Sequence, residues 1–188
     1  MCYPVFHDKI AWRKSLFQGR IIMKNDSIKN SFYTILKLAI CILIPLCVGW
    51  ISSFFSRDSM QQYKELVRPS FSPPGWVFPV VWTALFILMG IASFRIYTSN
   101  TESRQRRNAI VIYTLQLAVN FFWTILFFTL RMRGTALLWL ILLWILIFLT
   151  IKKFYKVDRV ASWLMVPYIA WVSFAGILNY QMWFLNKG

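Results

Sequence analysis

Five long apolar stretches, at about 32–54, 77–97, 109–130, 135–151 and 160–185, constrain this chain more than any other feature. Each is close to the roughly 17–25 residues that a helix needs to cross the hydrocarbon of a bilayer. In hydrocarbon every backbone amide must find its partner within the protein, which leaves helices or a closed barrel. None of the five alternates polar and apolar residues with a period of two, so helices prevail over a barrel. The sequence predicts an all-α membrane protein, a bundle of five transmembrane helices. Composition agrees: 59% of the 188 residues are hydrophobic and 14% are charged. A soluble globule of this length could not bury so much apolar surface.

The charges lie between the spans. Lys and Arg number 21 against six acids, a net charge of +15. A soluble domain so basic would suggest nucleic acid. Here no basic stretch is interleaved with aromatics in a soluble module, and the basic residues are placed to meet anionic lipid head groups. No nucleic-acid partner is expected; membrane lipid is. Fifteen of the 21 fall on one side: Lys9, Arg13, Lys14, Arg20, Lys24, Lys29 and Lys37, then Arg95, Arg104, Arg106 and Arg107, then Lys152, Lys153, Lys156 and Arg159. Arg57, Lys64, Arg68, Arg131, Arg133 and Lys187 fall on the other. The positive-inside rule then puts the N-terminus in the cytoplasm of a bacterial cell, the mitochondrial outer membrane being the alternative location.

Residues 1–31 are basic and have no apolar core followed by a small-residue cleavage site, so they do not read as a signal peptide. They are expected to be a poorly ordered extension, with 32–188 as the transmembrane domain. Met23 is an alternative start that would make 1–22 dispensable. The connection at 55–76 is different in kind. It is about twenty residues long, stiffened by Pro69, Pro73 and Pro74, and it leads into a helix with Pro79 in its first turn. Loops of that length usually carry a function, often as a lid.

Chemistry within the spans is limited. All six acids (Asp8, Asp26, Asp58, Glu65, Glu102 and Asp158) and the one histidine, His7, lie outside them. That argues against an ion-coupled transporter and against general acid–base catalysis at membrane depth. No metal site can be assembled from one His and the scattered Cys2, Cys41 and Cys47, and no cofactor is implied. The third span does carry Tyr113, Gln116, Asn120 and Thr124 at three- and four-residue intervals, on one helical face. Two readings stand: hydrogen-bonding glue between helices, or the polar wall of a ligand cavity. The fifth span repeats the theme with Ser173, Asn179 and Gln181. Of ten tryptophans, Trp50, Trp139, Trp163 and Trp183 lie toward span ends, as interfacial belt residues do. Trp82, Trp123 and Trp171 lie deeper, either as core or as the walls of a pocket for a flat hydrophobic ligand.

The run Arg68-Pro69-Ser70-Phe71-Ser72-Pro73-Pro74-Gly75-Trp76-Val77-Phe78-Pro79-Val80-Val81-Trp82-Thr83 resembles the first-loop signature of the TspO/MBR family, the tryptophan-rich sensory and translocator proteins also called peripheral-type benzodiazepine receptors. Met89-Gly90-Ile91-Ala92 continues the pattern. Asn120-Phe121-Phe122-Trp123 is similar to the family's third helix, and Val166 to Ala175, Leu178-Asn179-Tyr180 and Leu185-Asn186 to its fifth. The likeness runs from about 35 to 187 and implies a five-helix bundle, commonly a homodimer, whose cavity is closed by the first loop. It implies tetrapyrrole (porphyrin) ligands, synthetic benzodiazepine-type ligands and sterols. The expected ligand-binding set is Phe71, Trp76, Trp82, Phe86, Tyr113, Gln116, Asn120, Trp123, Trp171, Ala175 and Asn179. Phe71 departs from the tryptophan usual there, which removes an indole but keeps a stacking ring. The sterol pattern is met by Leu149, Tyr155 and Arg159, while Leu178, Tyr180 and Lys187 miss it by one residue.

Three function classes follow: a tetrapyrrole receptor or sensor, a transporter or exporter of porphyrins or sterols, and an enzyme degrading porphyrin with light. For the last, the resemblance assigns the catalytic role to Trp82 and Trp171.

Overall fold

The computed structural model describes residues 6–55, 61, 65–130 and 132–186. Five helical segments are long and apolar enough to span a membrane: Lys29–Phe55, Val77–Tyr97, Ser103–Phe127, Arg133–Val157 and Arg159–Leu185. They match the five apolar stretches to within a few residues, except where the connections are short and the helices extend into them. The fold is the expected all-α bundle. Large apolar side chains such as Val111, Leu138 and Trp163 lie exposed on it, as a bilayer solvent allows.

Helix α1 runs Phe6–Phe55, and the chain divides into two compact units after Ala39. In the first unit the helix includes residues 6–31, where a poorly ordered extension was expected. The physical reason is local: after Pro4 that stretch contains no proline, and Gly19 is its one glycine, so nothing in it interrupts a helix. Toward the unit's end the Thr34 hydroxyl donates back to the Asn30 carbonyl at 2.8 Å. The stretch from Phe32 to Leu36 presents Phe32, Tyr33, Ile35 and Leu36 outward.

The second unit holds the rest of α1 together with α2 (Val77–Tyr97), α3 (Ser103–Thr124), α4 (Arg133–Val157), a short α5 (Arg159–Leu164) and α6 (Val166–Leu185). Helix α4 packs against α3, α5 and α6, and α2 against α3 and α5. Three irregularities shape this unit. Pro45 sits inside α1 and has no N–H to give the Cys41 carbonyl one turn back. Gly90 of α2 packs at that place: a Cβ on it would lie 2.5 Å from the Ile42 Cα and 2.8 Å from the Cys41 oxygen. At the end of α3 the helix widens into a π-turn over Ile125–Thr129, where the Leu130 amide donates to the Ile125 carbonyl at 2.9 Å. The fifth span breaks at Met165 into α5 and α6, with Pro167 in the first turn of α6.

One end of the bundle is packed solid. Ala92, Ile96, Ala109, Phe154, Ala161 and Met165 are all completely buried there. Small residues on α2, α3 and α5 let the helices approach, and the Tyr113 ring lies 5.8 Å from that of Phe154. The corner is tied by Asp158, which caps α5 through the Ala161 amide at 2.9 Å and pairs with Arg95 of α2 at 2.8 Å. Partial burial works to raise the Asp158 pKa, but the Arg95 guanidinium and the amides of Ala161 and Val160 outweigh it and hold the carboxyl below its ordinary value.

Candidate ligand-binding cavity

The opposite end is hollow. A cavity of about 800 Å³ lies between Leu46–Phe54 of α1, Phe78–Phe86 of α2, Asn120–Phe127 of α3 with its π-turn, and Ala175–Met182 of α6. Cavities of about 300–1,000 Å³ are the usual size for drug-sized ligands and cofactors.

Eight of the 21 residues of its wall are aromatic. Trp82 is central, with its ring 5.5 Å from Phe86, 6.4 Å from Trp123 and 6.0 Å from Tyr168. Trp123 stacks in turn on Phe127 at 5.7 Å. Spacings of this kind are those at which aromatic pairs attract. The rings come together because Trp82 and Phe86 are four residues apart on α2, and Trp123 and Phe127 four apart on α3, so each pair shares a helical face. Phe86 is fixed from behind by Gly49, where a Cβ would occupy the ring's own space.

Polar groups punctuate this wall. The Ser52 hydroxyl donates to the Phe121 carbonyl at 3.2 Å and the Thr83 hydroxyl to the Pro79 carbonyl at 2.7 Å. Both donors are therefore used by the protein. Asn120 is 4% exposed. Asn179 is 2% exposed, and neither its amide nitrogen nor its oxygen has a partner in the protein. A buried amide left in that state costs roughly 1–3 kcal/mol until something satisfies it.

Six of the eleven expected binding residues line the cavity: Trp82, Phe86, Asn120, Trp123, Ala175 and Asn179. The other five stand elsewhere. Tyr113 and Gln116 lie in the solid core, with Gln116 completely buried and its amide unpartnered. The stripe on α3 thus divides: Tyr113 and Gln116 are packed into the core, and Asn120 and Thr124 line the cavity. Trp171 stands one layer back, its ring 6.0 Å from cavity-lining Phe78 and 5.4 Å from Phe174. Phe71 packs on that same Phe174 at 6.3 Å, and Trp76 is 68% exposed. Of the two tryptophans assigned to photochemistry, Trp82 lines the cavity and Trp171 does not.

The expected lid at 55–76 falls partly outside the described residues, at 56–60 and 62–64. Its described part, 65–76, is held on α6. The Val67 amide donates to Asn186 Oδ1 at 3.1 Å, and Asn186 Nδ2 donates back to the Val67 carbonyl at 3.0 Å and to the Met182 carbonyl at 2.8 Å. None of residues 65–76 lines the cavity, to which α2 contributes from Phe78 onward.

The α1 wall was not anticipated. Leu46, Val48, Gly49, Trp50, Ser52, Ser53 and Phe54 all line the cavity, and the available signal was the cluster of small residues at Gly49, Ser52 and Ser53. Trp139, grouped above with the interfacial belt, is a helix tie instead, its indole N–H donating to the Val119 carbonyl at 2.8 Å. Ser173 likewise joins helices, accepting from the Trp144 indole at 2.9 Å.

Five apolar helices, four of them around an aromatic, ligand-sized cavity, define a multi-pass membrane protein. The chain belongs to the TspO/MBR family, whose sequence model matches residues 41–184. It is 40% identical to the tryptophan-rich protein TspO of Chlorobaculum tepidum, over 81% of this chain and 97% of that one. It is 38% identical to protein CrtK of Rhodobacter capsulatus, over 76% of this chain and 88% of that one. The translocator protein of Bos taurus is 34% identical, over 77% of this chain and 87% of its own.

Proposed function

We propose that this protein is a membrane receptor that binds a tetrapyrrole of the protoporphyrin kind in the cavity between α1, α2, α3 and α6. The observation that carries the reading is the cavity itself: about 800 Å³ in volume, with the rings of Trp82, Phe86, Trp123 and Phe127 disposed to stack on a flat ligand. The unpartnered Asn179 amide adds a polar contact of the sort that orients a ligand in an apolar site.

Titration of protoporphyrin into the protein in nanodiscs, followed by quenching of tryptophan fluorescence, tests it. Trp82→Ala should weaken binding about tenfold, because it removes the central ring, while Trp171→Phe should bind within about twofold of the parent. Parental affinity in Trp82→Ala would overturn the assignment of the cavity. Illumination of the same samples tests the enzymatic reading, which predicts light-driven loss of the bound porphyrin spectrum and its abolition in Trp82→Phe.

The charge distribution supports a bacterial orientation with the N-terminus, the 98–108 connection and Asp158 in the cytoplasm. Single cysteines introduced at Ser70 and at Thr101, in a background without native thiols, test it by labelling of intact cells. Labelling of the cysteine at position 70 only after permeabilisation would reverse the orientation.

A further inference from the structure

We infer that the cavity selects its ligand by charge, accepting the uncharged form of a flat aromatic molecule and rejecting its ionised form. This deepens the proposed binding reading and rests on the cavity being the ligand site. Among the described residues that line it, none is ionisable. Its polar side chains are neutral: Ser52, Ser53, Thr83, Asn120, Thr124 and Asn179, besides the indoles of Trp50, Trp82 and Trp123. The ion pair of Arg95 with Asp158 sits at the far, solid end of the bundle and takes no part in the wall.

A carboxylate brought into such a site would leave water and meet no counter-charge among the described lining residues. Transfer of an unpaired charge into an apolar interior is among the most unfavourable steps available to a ligand. A carbonyl, an ester, an amide or a pyrrole N–H meets the opposite situation. The Asn179 amide is buried with both its donor and its acceptor unused, so a neutral group satisfies two atoms that otherwise stay unpaired. For a tetrapyrrole, the ring enters and any ionised acid side chains remain outside the cavity; esterified or protonated acids can follow the ring.

A matched probe pair tests this independently of tetrapyrroles: 1-pyrenecarboxamide and 1-pyrenecarboxylate, titrated into the full chain in phosphatidylcholine nanodiscs at pH 8, each corrected against protein-free nanodiscs. The carboxamide should bind at least tenfold more tightly than the carboxylate. Acidification to pH 4, near the ordinary carboxyl pKa, should bring the acid toward the amide. Asn179→Leu should weaken the carboxamide about tenfold and leave the carboxylate unchanged. Binding of the two probes within threefold of each other at pH 8 would overturn charge selection, as would failure of both to bind; the pH series decides it even if Asn179→Leu does not fold. Protoporphyrin and its dimethyl ester extend the comparison. A preference for the ester supports both readings, and equal binding of ester and diacid removes charge selection while leaving tetrapyrrole binding intact. If the pyrene pair discriminates and neither porphyrin binds, charge selection stands and the tetrapyrrole reading falls.

Discussion

The two ends of the second unit use the same helices to opposite effect. At the solid end, Ala92, Ala109 and Ala161 are fully buried, and backbones close on one another around Ile96, Phe154 and Met165. At the hollow end, the corresponding turns carry Trp82, Phe86, Trp123 and Phe127, rings too large to interdigitate as helices draw together. Helix α3 passes through both: Tyr113 and Gln116 are packed in, and further along the same face Asn120 and Trp123 border a void. Protein interiors normally fill such space. Residue sizes on the facing turns differ accordingly, alanines where the helices close and aromatic rings where the cavity lies.

The largest effect should come from Gly90, at the close approach of α2 to α1. Gly90→Ala places a methyl 2.5 Å from the Ile42 Cα, so two backbones must part, at a cost of about 1–3 kcal/mol. Thermal unfolding in detergent should fall by several degrees. The contrast is Ala175→Leu at the hollow end, where the added bulk enters free space. It should leave the unfolding temperature nearly unchanged and cut ligand affinity more than tenfold. If both variants behaved alike, the difference between the two ends would not lie in packing.

Asp158→Asn sharpens the account of the solid end. Asparagine can still cap α5, so the substitution removes mainly the pairing with Arg95, worth about 1 kcal/mol or less for groups this exposed. The carboxyl is held below its ordinary value, so its contribution is fully present at neutral pH and is lost as the pH falls through the folded value, below about pH 4. The parent's unfolding temperature should decline over that range more steeply than that of Asp158→Asn; parallel curves would remove the ion pair from the account.

Smaller again is the effect expected of Asn186→Ala. It unclips Val67, so protease cleavage within 65–76 should quicken several-fold with little change in unfolding temperature. Smallest of all is removal of residues 1–22. We propose that this segment is dispensable for the membrane domain, and a chain starting at Met23 should keep its ligand affinity and its unfolding temperature to within about one degree.

The five spans were legible because lipid imposes one rule on every stretch: all its amides must be paired and its surface apolar. Trp82, Asn120 and Asn179 were legible for a related reason, since a polar or indole group at membrane depth needs a purpose. The α1 wall was not. In a helix this apolar only the small residues Gly49, Ser52 and Ser53 mark the face toward the void, and Leu46 or Phe54 would read the same either way. Trp171 is near the cavity without lining it, its ring 6.0 Å from that of Phe78, and depth along a span says nothing of such an arrangement.

The clip between Val67 and Asn186 has a consequence for the order in which the molecule is made. Its partners are 119 residues apart, and a chain is synthesised from its N-terminus at roughly 5–20 residues per second. The segment from Glu65 to Trp76 therefore leaves the ribosome many seconds before the asparagine that fastens it exists. Ala175, Leu178 and Asn179 reach the cavity in the same late interval. The first connection to be synthesised is secured only once the fifth span has been made, and the fourth wall of the cavity forms in that same interval.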